Sequence, residues 1–196
     1  MKKLIFLIFI AFTLNAFAQS KPIDKARGLF IAFDVGPRLP LGYFANSTDL
    51  GYGFDVELSY TDDEYLPFFL FTKIGLDQFP GSQQFYEITD YSNYFTRALP
   101  VSMGVRYFFP PLVENIVLFM PIVELSADYT FFEKLHQFKP ATGKSNYIED
   151  NSKIGFSAGA GISMFMMEVV AAYHYTYTNQ YMSVDLRVRL PLYISL

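Results

Sequence analysis

Residues 182–196, "MSVDLRVRLPLYISL", alternate between apolar and other side chains without a break. Every even position carries Met, Val, Leu or Ile, whereas Asp185, Arg187 and Arg189 stand at odd positions. Successive side chains of a β-strand point to opposite faces, so this period of two predicts a strand with one hydrocarbon face and one charged face. Residues 50–61, "LGYGFDVELSYT", repeat the pattern cleanly, which makes coincidence a poor explanation.

Six more segments with this period bring the number of predicted strands to eight. They are residues 29–41, 67–78, 95–108, 117–129, 154–165 and 168–177. The connections are mostly long and polar at residues 43–48, 79–93 and 131–153, and short at residues 62–66, 110–114, 166–167 and 178–181. Long connections at one end and tight turns at the other are typical of an all-β, eight-stranded antiparallel up-and-down transmembrane β-barrel.

Alternation alone leaves open which face meets water. In a soluble barrel or sandwich, such as a lipocalin-like barrel, apolar side chains point inward, whereas in a membrane barrel they face lipid. Three features favour the membrane barrel. The polar faces carry small residues, and aromatic residues form two belts. Several predicted strands are about 13–15 residues long, whereas strands of soluble proteins average ~5–6 residues. The belt near the long connections is predicted from Tyr43, Tyr52, Phe95, Tyr129, Tyr175, Tyr177 and Tyr181, and the belt near the tight turns from Tyr60, Phe68, Tyr107, Phe109 and Tyr193.

A membrane barrel turns the charged faces of these strands toward its interior. The predicted interior network comprises Asp34, Arg38, Asp55, Glu57, Lys73, Asp77, Arg106, Glu124, Asp128, Glu168, Asp185, Arg187 and Arg189. An eight-stranded barrel is just wide enough for side chains to fill it, and buried charges must be paired and hydrogen-bonded. We therefore expect a plugged interior held by Arg–carboxylate networks; the alternative is a narrow ion path.

The N-terminal segment has the parts of a secretory signal peptide. Lys2 and Lys3 precede an apolar run at residues 4–14, and Ala16 and Ala18 occupy an A-x-A cleavage site. The run is too short for the alternative, a transmembrane anchor. We expect cleavage after residue 18, a short periplasmic lead-in at residues 19–26 and an outer-membrane barrel at residues 27–196.

Composition excludes several kinds of partner and site. Without Lys2 and Lys3 the formal net charge changes from −4 to −6, which argues against nucleic acid as a partner. The chain has no Cys, so it forms no disulfides and no thiolate metal sites. No metal-ligand or phosphate-binding motif stands out, and we expect neither a metal nor a cofactor.

Four segments carry a resemblance to a known family. They are "GPRLPLGYF" (residues 36–44), "GYGFDVELSY" (51–60), "LPVSMGVRYFF" (99–109) and "FSAGAGISMF" (156–165). In their order and spacing they resemble the small eight-stranded outer-membrane barrels of the OmpA/OmpX-like porin superfamily, the "outer membrane protein beta-barrel domain" proteins of Gram-negative bacteria. The resemblance covers essentially the whole mature chain.

The resemblance implies insertion by the barrel-assembly machinery, which reads the last strand. The residues that would present this signal are Leu190, Leu192, Ile194 and Leu196. Strands of the family usually end on Phe or Trp, whereas position 196 is aliphatic.

The two histidines are the candidates for chemistry. His174, two residues before Thr176, distantly resembles the His-x-Ser of lipid A deacylase barrels, but Thr replaces Ser and no acidic residue follows in the next connection. His136 is predicted to be a solvated loop residue, and we expect no catalytic residue.

The leading interpretation is a non-enzymatic, monomeric barrel that is structural or presents loops for adhesion. Outer-membrane lipid, lipopolysaccharide and an extracellular ligand are the expected contacts, through a surface loop containing Phe132, Lys134, His136, Lys139 and Lys144. The alternatives are a small pore or secretion-apparatus component, and a lipid A-modifying enzyme.

Overall fold

Eight antiparallel strands form one closed barrel in a computed structural model that describes residues 27–62, 66–111 and 119–195. The strands are β1 Arg27–Leu41, β2 Gly51–Asp62, β3 Leu66–Pro80, β4 Tyr91–Phe108, β5 Phe119–Phe138, β6 Tyr147–Met164, β7 Met167–Thr176 and β8 Gln180–Ser195. Each strand pairs with its neighbours in sequence, and β8 pairs with β1 to close the ring. The predicted eight-stranded up-and-down architecture is confirmed.

Short helical segments occur only in the connections at one end of the described barrel. A 3₁₀ turn at Gly42–Asn46 follows β1, helix α1 spans Gln83–Ile88, and a second 3₁₀ turn lies at Pro140–Thr142. Ser82 caps α1 by accepting a hydrogen bond from the Phe85 amide at 3.2 Å. None of the helices in the described ranges is long and apolar enough to cross a membrane.

The outward face of the barrel is apolar around its circumference. On β2 and β8 the outward positions are large hydrocarbon side chains, including Phe54, Leu58, Leu186 and Leu190, which are all exposed. The inward positions around the barrel are mostly polar and buried, with Glu57 of β2 and Arg106 of β4 at 0 % exposure. This inverts the arrangement of a soluble barrel, and it is the arrangement of a transmembrane one.

Three strands extend further than the sequence indicated, and β4 starts at Tyr91, within the predicted connection at residues 79–93. Residues 131–153 were expected to form one long connection, but β5 continues to Phe138 and β6 starts at Tyr147, so only residues 139–146 connect them. The alternation continues through this stretch, but charged side chains on both faces disguise it. Lys134, His136 and Phe132 consequently lie on a strand, and their assignment to a loop is wrong.

These longer strands form a structure that we call the sheet extension, made of residues 91–97 of β4, 130–138 of β5 and 147–154 of β6. Pairing of β3 with β4 stops at Pro80–Phe95, and pairing of β6 with β7 begins only at Gly155–Thr176. Pairing of β5 with β6 continues to His136–Tyr147. The extension therefore rises beyond the rest of the barrel at the end with the long connections.

Several predictions fall on residues outside the described ranges. The signal peptide, the lead-in at 19–26 and Leu196 lie there, as do parts of the connections at 62–66 and 110–114. Leu190, Leu192 and Ile194 are exposed on β8, although a β-bulge shifts the register so that Ile194 lies opposite Gly28 of β1.

Candidate functional site

The half of the barrel nearer the long connections holds an arginine enclosed by aspartates from three other strands. Arg38 Nε donates to Asp77 Oδ1 at 2.7 Å and Nη2 to Asp55 Oδ2 at 2.8 Å, while Nη1 donates to Asp185. All four side chains are at most 4 % exposed. A Cβ on Gly53 would collide with the Asp77 carboxylate and the Arg38 guanidinium, so the glycine makes room for this cluster.

A second cluster lies nearer the tight turns and is built around Arg106. Its Nη1 and Nη2 atoms form a bidentate pair with Glu57 at 2.7 and 2.6 Å. Its Nε and Nη2 atoms also donate to Glu124 Oε2, at 2.9 and 2.8 Å. Such fork-shaped, charge-assisted pairs are among the stronger hydrogen bonds in proteins.

Arg187 joins this cluster to the neighbouring strands. Its Nε lies 2.9 Å from both carboxylate oxygens of Asp34, and its Nη1 is 3.1 Å from Glu124 and from Glu168. Glu168 also accepts from Arg189 Nη2 at 3.2 Å. One continuous network therefore ties β1, β2, β4, β5, β7 and β8 together.

The two remaining predicted interior residues have different surroundings. Lys73 is buried within electrostatic reach of Asp55, Glu124 and Asp34. Asp128 accepts a hydrogen bond from the Ser126 hydroxyl at 2.7 Å, and that hydroxyl lies 2.5 Å from Ser157 Oγ. The structure thus places all thirteen predicted interior residues inside the barrel, although Asp128 is held by a hydroxyl rather than a cation.

Aromatic rings close the interior at the end with the long connections. Phe44, from the first 3₁₀ turn, packs on Phe79 at a centroid distance of 4.8 Å, and Phe79 packs on Tyr181 at 5.2 Å. Phe132 completes this layer, and all four rings are buried. The assignment of Tyr181 to the outer aromatic belt is therefore wrong: its ring points inward, and its hydroxyl donates to Asp77 at 2.7 Å.

A second aromatic layer covers the network at the opposite end. Phe69 lies 4.8 Å from Phe108 and 5.7 Å from Phe30, measured between ring centroids. The Arg189 guanidinium lies 5.3 Å from the Phe69 ring and 5.1 Å from Phe108, within cation–π range. The charged network is therefore enclosed between two aromatic layers.

His174 is one of the side chains that fill the barrel interior. Its ring stacks on Tyr181 at 4.4 Å, and its Nε2 lies 3.1 Å from Ser183 Oγ. Ser183 is 0 % exposed, so a histidine–serine pair exists but lies beneath the aromatic layer, away from any lipid. Within the described ranges no group of three or more His, Asp or Glu side chains is arranged to hold a metal ion.

The Arg38 cluster gives a stability prediction. Replacing Arg38 with Met leaves three buried aspartates without their shared cation, which should lower the free energy of unfolding by about 3–5 kcal/mol. Urea titration of the barrel in liposomes measures this change. The matched control is Arg97→Met, which removes an exposed pair with Glu133 and should cost less than about 1 kcal/mol. Equal losses in the two variants would contradict a central role for the Arg38 cluster.

His136 lies at the centre of an aromatic cluster in the sheet extension. Its ring stacks on Tyr147 at 4.3 Å with an interplanar angle of 8°, and it meets Tyr94 edge-on at 5.2 Å. Nδ1 lies 3.1 Å from the Tyr91 hydroxyl, and Nε2 lies 3.3 Å from Glu149 Oε2. The expectation of a solvated loop histidine is wrong, because the side chain is buried between three strands.

The three predicted surface-loop lysines hold the extension together. Lys134 pairs with Glu149 at 3.4 Å, and Lys144 pairs with Asp90 at 2.7 Å. Lys139 donates to the carbonyl oxygens of Tyr86 and Thr89, both at 2.8 Å, and thereby fastens the end of α1 to the extension. The three ammonium groups form ion pairs and hydrogen bonds within the protein. Residue type alone did not reveal this role.

The two edges of the extension differ. On the β4 edge, the backbone of Tyr94 is satisfied by the Tyr86 hydroxyl, which donates to its carbonyl at 2.9 Å and accepts from its amide at 3.0 Å. On the β6 edge, residues 147–154 pair with β5 only, because β7 pairing begins at Gly155. The β4 edge is therefore capped at Tyr94, whereas the β6 edge at residues 147–154 has no neighbouring strand.

The environment of His136 predicts a pH dependence of the extension. Burial lowers the pKa of His136 from its usual 6.5, and nearby Glu149 only partly opposes the shift. The pKa of His136 is lower when the aromatic cluster is closed than when it is opened. Neutral His136 therefore stabilises the closed cluster, and this stabilisation is complete above pH 6.5. That stabilisation is lost as the pH falls through the lowered pKa.

We expect the near-ultraviolet circular dichroism of the stacked tyrosines to weaken as the pH is lowered from about 7.5 to about 5. His136→Phe keeps a stacking ring but cannot titrate, so its signal should stay constant over this range. An unchanged pH dependence in His136→Phe would show that another group is responsible.

Comparisons with known proteins return structures but no sequence family. No family model matches the chain, and no curated protein matches it. Among solved structures it is similar to neisserial surface protein A, with 12 % identity over 84 % of this chain and 97 % of that chain and a TM-score of 0.48. It is also similar to Ail, the attachment invasion locus protein of Yersinia pestis, in complex with the heparin analogue sucrose octasulfate, with 12 % identity over 86 % of this chain and 100 % of that chain and a TM-score of 0.42. The structure of Ail in a phospholipid bilayer nanodisc matches at 15 % identity, over 83 % of this chain and 99 % of that chain, with a TM-score of 0.42.

Proposed function

We propose that the chain is a non-conducting, non-enzymatic barrel of the outer membrane that presents the sheet extension at the cell surface for binding. The observation that carries this proposal is the enclosure of the Arg38, Arg106 and Arg187 clusters between two aromatic layers. A barrel whose interior is packed with ion pairs has no room for a transport path. Its exposed part is then the extension, and binding functions concentrate on the exposed segments that a rigid scaffold carries.

The non-enzymatic part of the proposal is supported by the position of His174. Its serine neighbour is fully buried, and Tyr181 covers its ring. A general base must reach its substrate within hydrogen-bond distance, and acyl chains of a membrane lipid do not reach the interior of a filled barrel. A lipid A-modifying activity is therefore not proposed.

The location and partners follow from the same architecture. The apolar outer wall requires lipid, and the signal peptide predicted from the sequence, together with a β-barrel, supports export and insertion in the outer membrane by the barrel-assembly machinery. Outer-membrane lipid and lipopolysaccharide then surround the wall, and the sheet extension lies on the extracellular side. A closed ring has no free sheet edge within the membrane, so the barrel is complete as a monomer.

Surface labelling of intact cells tests the location and orientation. We expect an epitope inserted after Gly143, at the tip of the extension, to bind antibody on intact cells. The matched control is the same epitope inserted between Phe165 and Met166, in the tight turn between β6 and β7. It should bind only after the outer membrane is permeabilised. The reverse result would overturn the proposed orientation, and labelling of neither site in permeabilised, expressing cells would overturn surface display.

Electrical recording tests the closed interior. The full chain, folded in detergent and shown to migrate as a heat-modifiable band, is reconstituted into a planar bilayer. We expect no conductance steps, because the aromatic layers and ion pairs fill the interior. A porin reconstituted in parallel confirms that the bilayer reports channels. Reproducible steps from this chain would favour the pore alternative and overturn a sealed barrel.

A further inference from the structure

The sheet extension has a polar face that turns toward the barrel axis, above the layer of buried rings. We call this face the inward shelf; it consists of Tyr147, Glu149, Asn151 and Lys153 of β6 with Lys134 of β5. Tyr147 and Asn151 are exposed, because no strand continues the sheet beyond residues 147–154 of β6. The shelf is therefore open to the extracellular side, and the sheet itself separates it from the lipid around the wall.

The turn between β7 and β8 closes the lower end of the shelf. The Thr176 hydroxyl donates to the Asn179 carbonyl oxygen at 2.6 Å and holds this turn in place. Lys153 Nζ donates to Asn179 Oδ1 at 2.9 Å and to the Thr178 hydroxyl, and it lies 5.5 Å from the centroid of the Phe132 ring. The ammonium group is thus fixed at one place before any ligand arrives, which lowers the entropic cost of binding.

The charges of the shelf do not balance. Within the described ranges no carboxylate forms an ion pair with Lys153. Glu149 is the acidic residue of the shelf, and it pairs with Lys134 at 3.4 Å and lies 3.3 Å from His136 Nε2. Lys134 is also within electrostatic reach of Lys153 and repels it. Two ammonium groups share one carboxylate, so the shelf keeps one uncompensated positive charge on a chain whose formal net charge is −4.

An unpaired amide lies beside this charge. Asn179 is 2 % exposed, and its Nδ2 has no hydrogen-bond partner, although Oδ1 of the same amide accepts from Lys153. A buried N–H group without an acceptor costs free energy. An anionic oxygen placed beside Lys153 would supply an acceptor for both donors. The missing acceptor is a second observation, independent of the charge, that points to an oxygen ligand here.

The residues of the shelf favour a saccharide with a single negative charge. The β6 side chains on this face include no aliphatic residue, whereas peptides are held by apolar pockets for their side chains. Amide and hydroxyl groups donate and accept hydrogen bonds, as sugar hydroxyls require. One uncompensated ammonium matches one carboxylate. A polyanion would also meet Glu133 and Asp150, which stand at the outward positions of the same two strands.

From these observations we propose that the inward shelf binds an acidic saccharide that carries one carboxylate, of the sialic acid type. The carboxylate accepts from Lys153 and Asn179, and the following sugar bonds to Asn151 and extends toward Tyr147, whose side chain is 49 % exposed. This inference rests on the surface binding proposed above and names its ligand class. Its test uses purified protein, so a negative result leaves the surface-labelling and conductance outcomes unaffected.

A comparison of two glycans tests the site. Saturation-transfer difference NMR measures the binding of 3′-sialyllactose to the folded full chain in detergent, and of lactose, which lacks the carboxylated sugar. We expect the wild type to bind sialyllactose about tenfold more tightly than lactose, because hydrogen bonds to charged groups are the stronger ones. Lys153→Gln should abolish this difference, and Lys153→Arg should retain most of it.

The controls separate this site from general charge effects. Lys144→Gln removes an exposed lysine from the tip of the extension, where it pairs with Asp90, and should leave the difference unchanged. Heat-modifiable migration verifies that each variant is folded before it is measured, and the wild-type comparison of the two glycans stands without any variant. Equal binding of both glycans, no binding of sialyllactose, or an equal loss in Lys144→Gln would overturn the proposal. Tighter binding of a heparin tetrasaccharide or of an acidic dipeptide would also overturn it, in favour of a polyanion or a peptide ligand.

Discussion

The buried ion pairs of the interior are the interaction on which the rest of this barrel depends. A ring of eight strands leaves a space that side chains can just fill, and the membrane forces the apolar faces outward, so polar side chains must do the filling. Charges removed from water are tolerated only when they are paired and hydrogen-bonded. Arg38, Arg106 and Arg187 meet this requirement because each guanidinium binds at least two carboxylates from other strands.

The aromatic layers decide what this interior can do. Phe44, Phe79, Phe132 and Tyr181 close one end, and Phe30, Phe69 and Phe108 cover the other. With the interior enclosed, the histidine–serine pair at His174 becomes part of the filling, and the binding that we propose takes place on the outside. Among the described residues, the sheet extension is an exposed feature that combines apolar area with polar groups.

Side-chain parity was predictable along the strand segments found in the sequence, away from the β-bulges and the sheet extension, but contacts between strands were not. The inward position of Asp34 or Glu168 follows from counting residues, because the pleat makes it a local property. The sequence misassigned residues 131–153 because Lys134 and Glu149 look like loop residues until their pairing across β5 and β6 is known. Tyr181 shows another limit: an inward tyrosine near a strand end cannot be told from a belt tyrosine until the rings that cover it are placed.

The sequence by itself determined the number of strands, the faces they present and the membrane as their solvent. These follow from the period of two, which acts within a few residues. The tertiary structure alone decided which carboxylates surround each arginine, that the interior is covered at both ends, and that β5 and β6 rise above their neighbours. Those features depend on the register around a closed ring, which brings Arg38 to Asp185 across 147 positions of sequence. A local sequence pattern does not predict that strand register, because all eight strand pairings set it together.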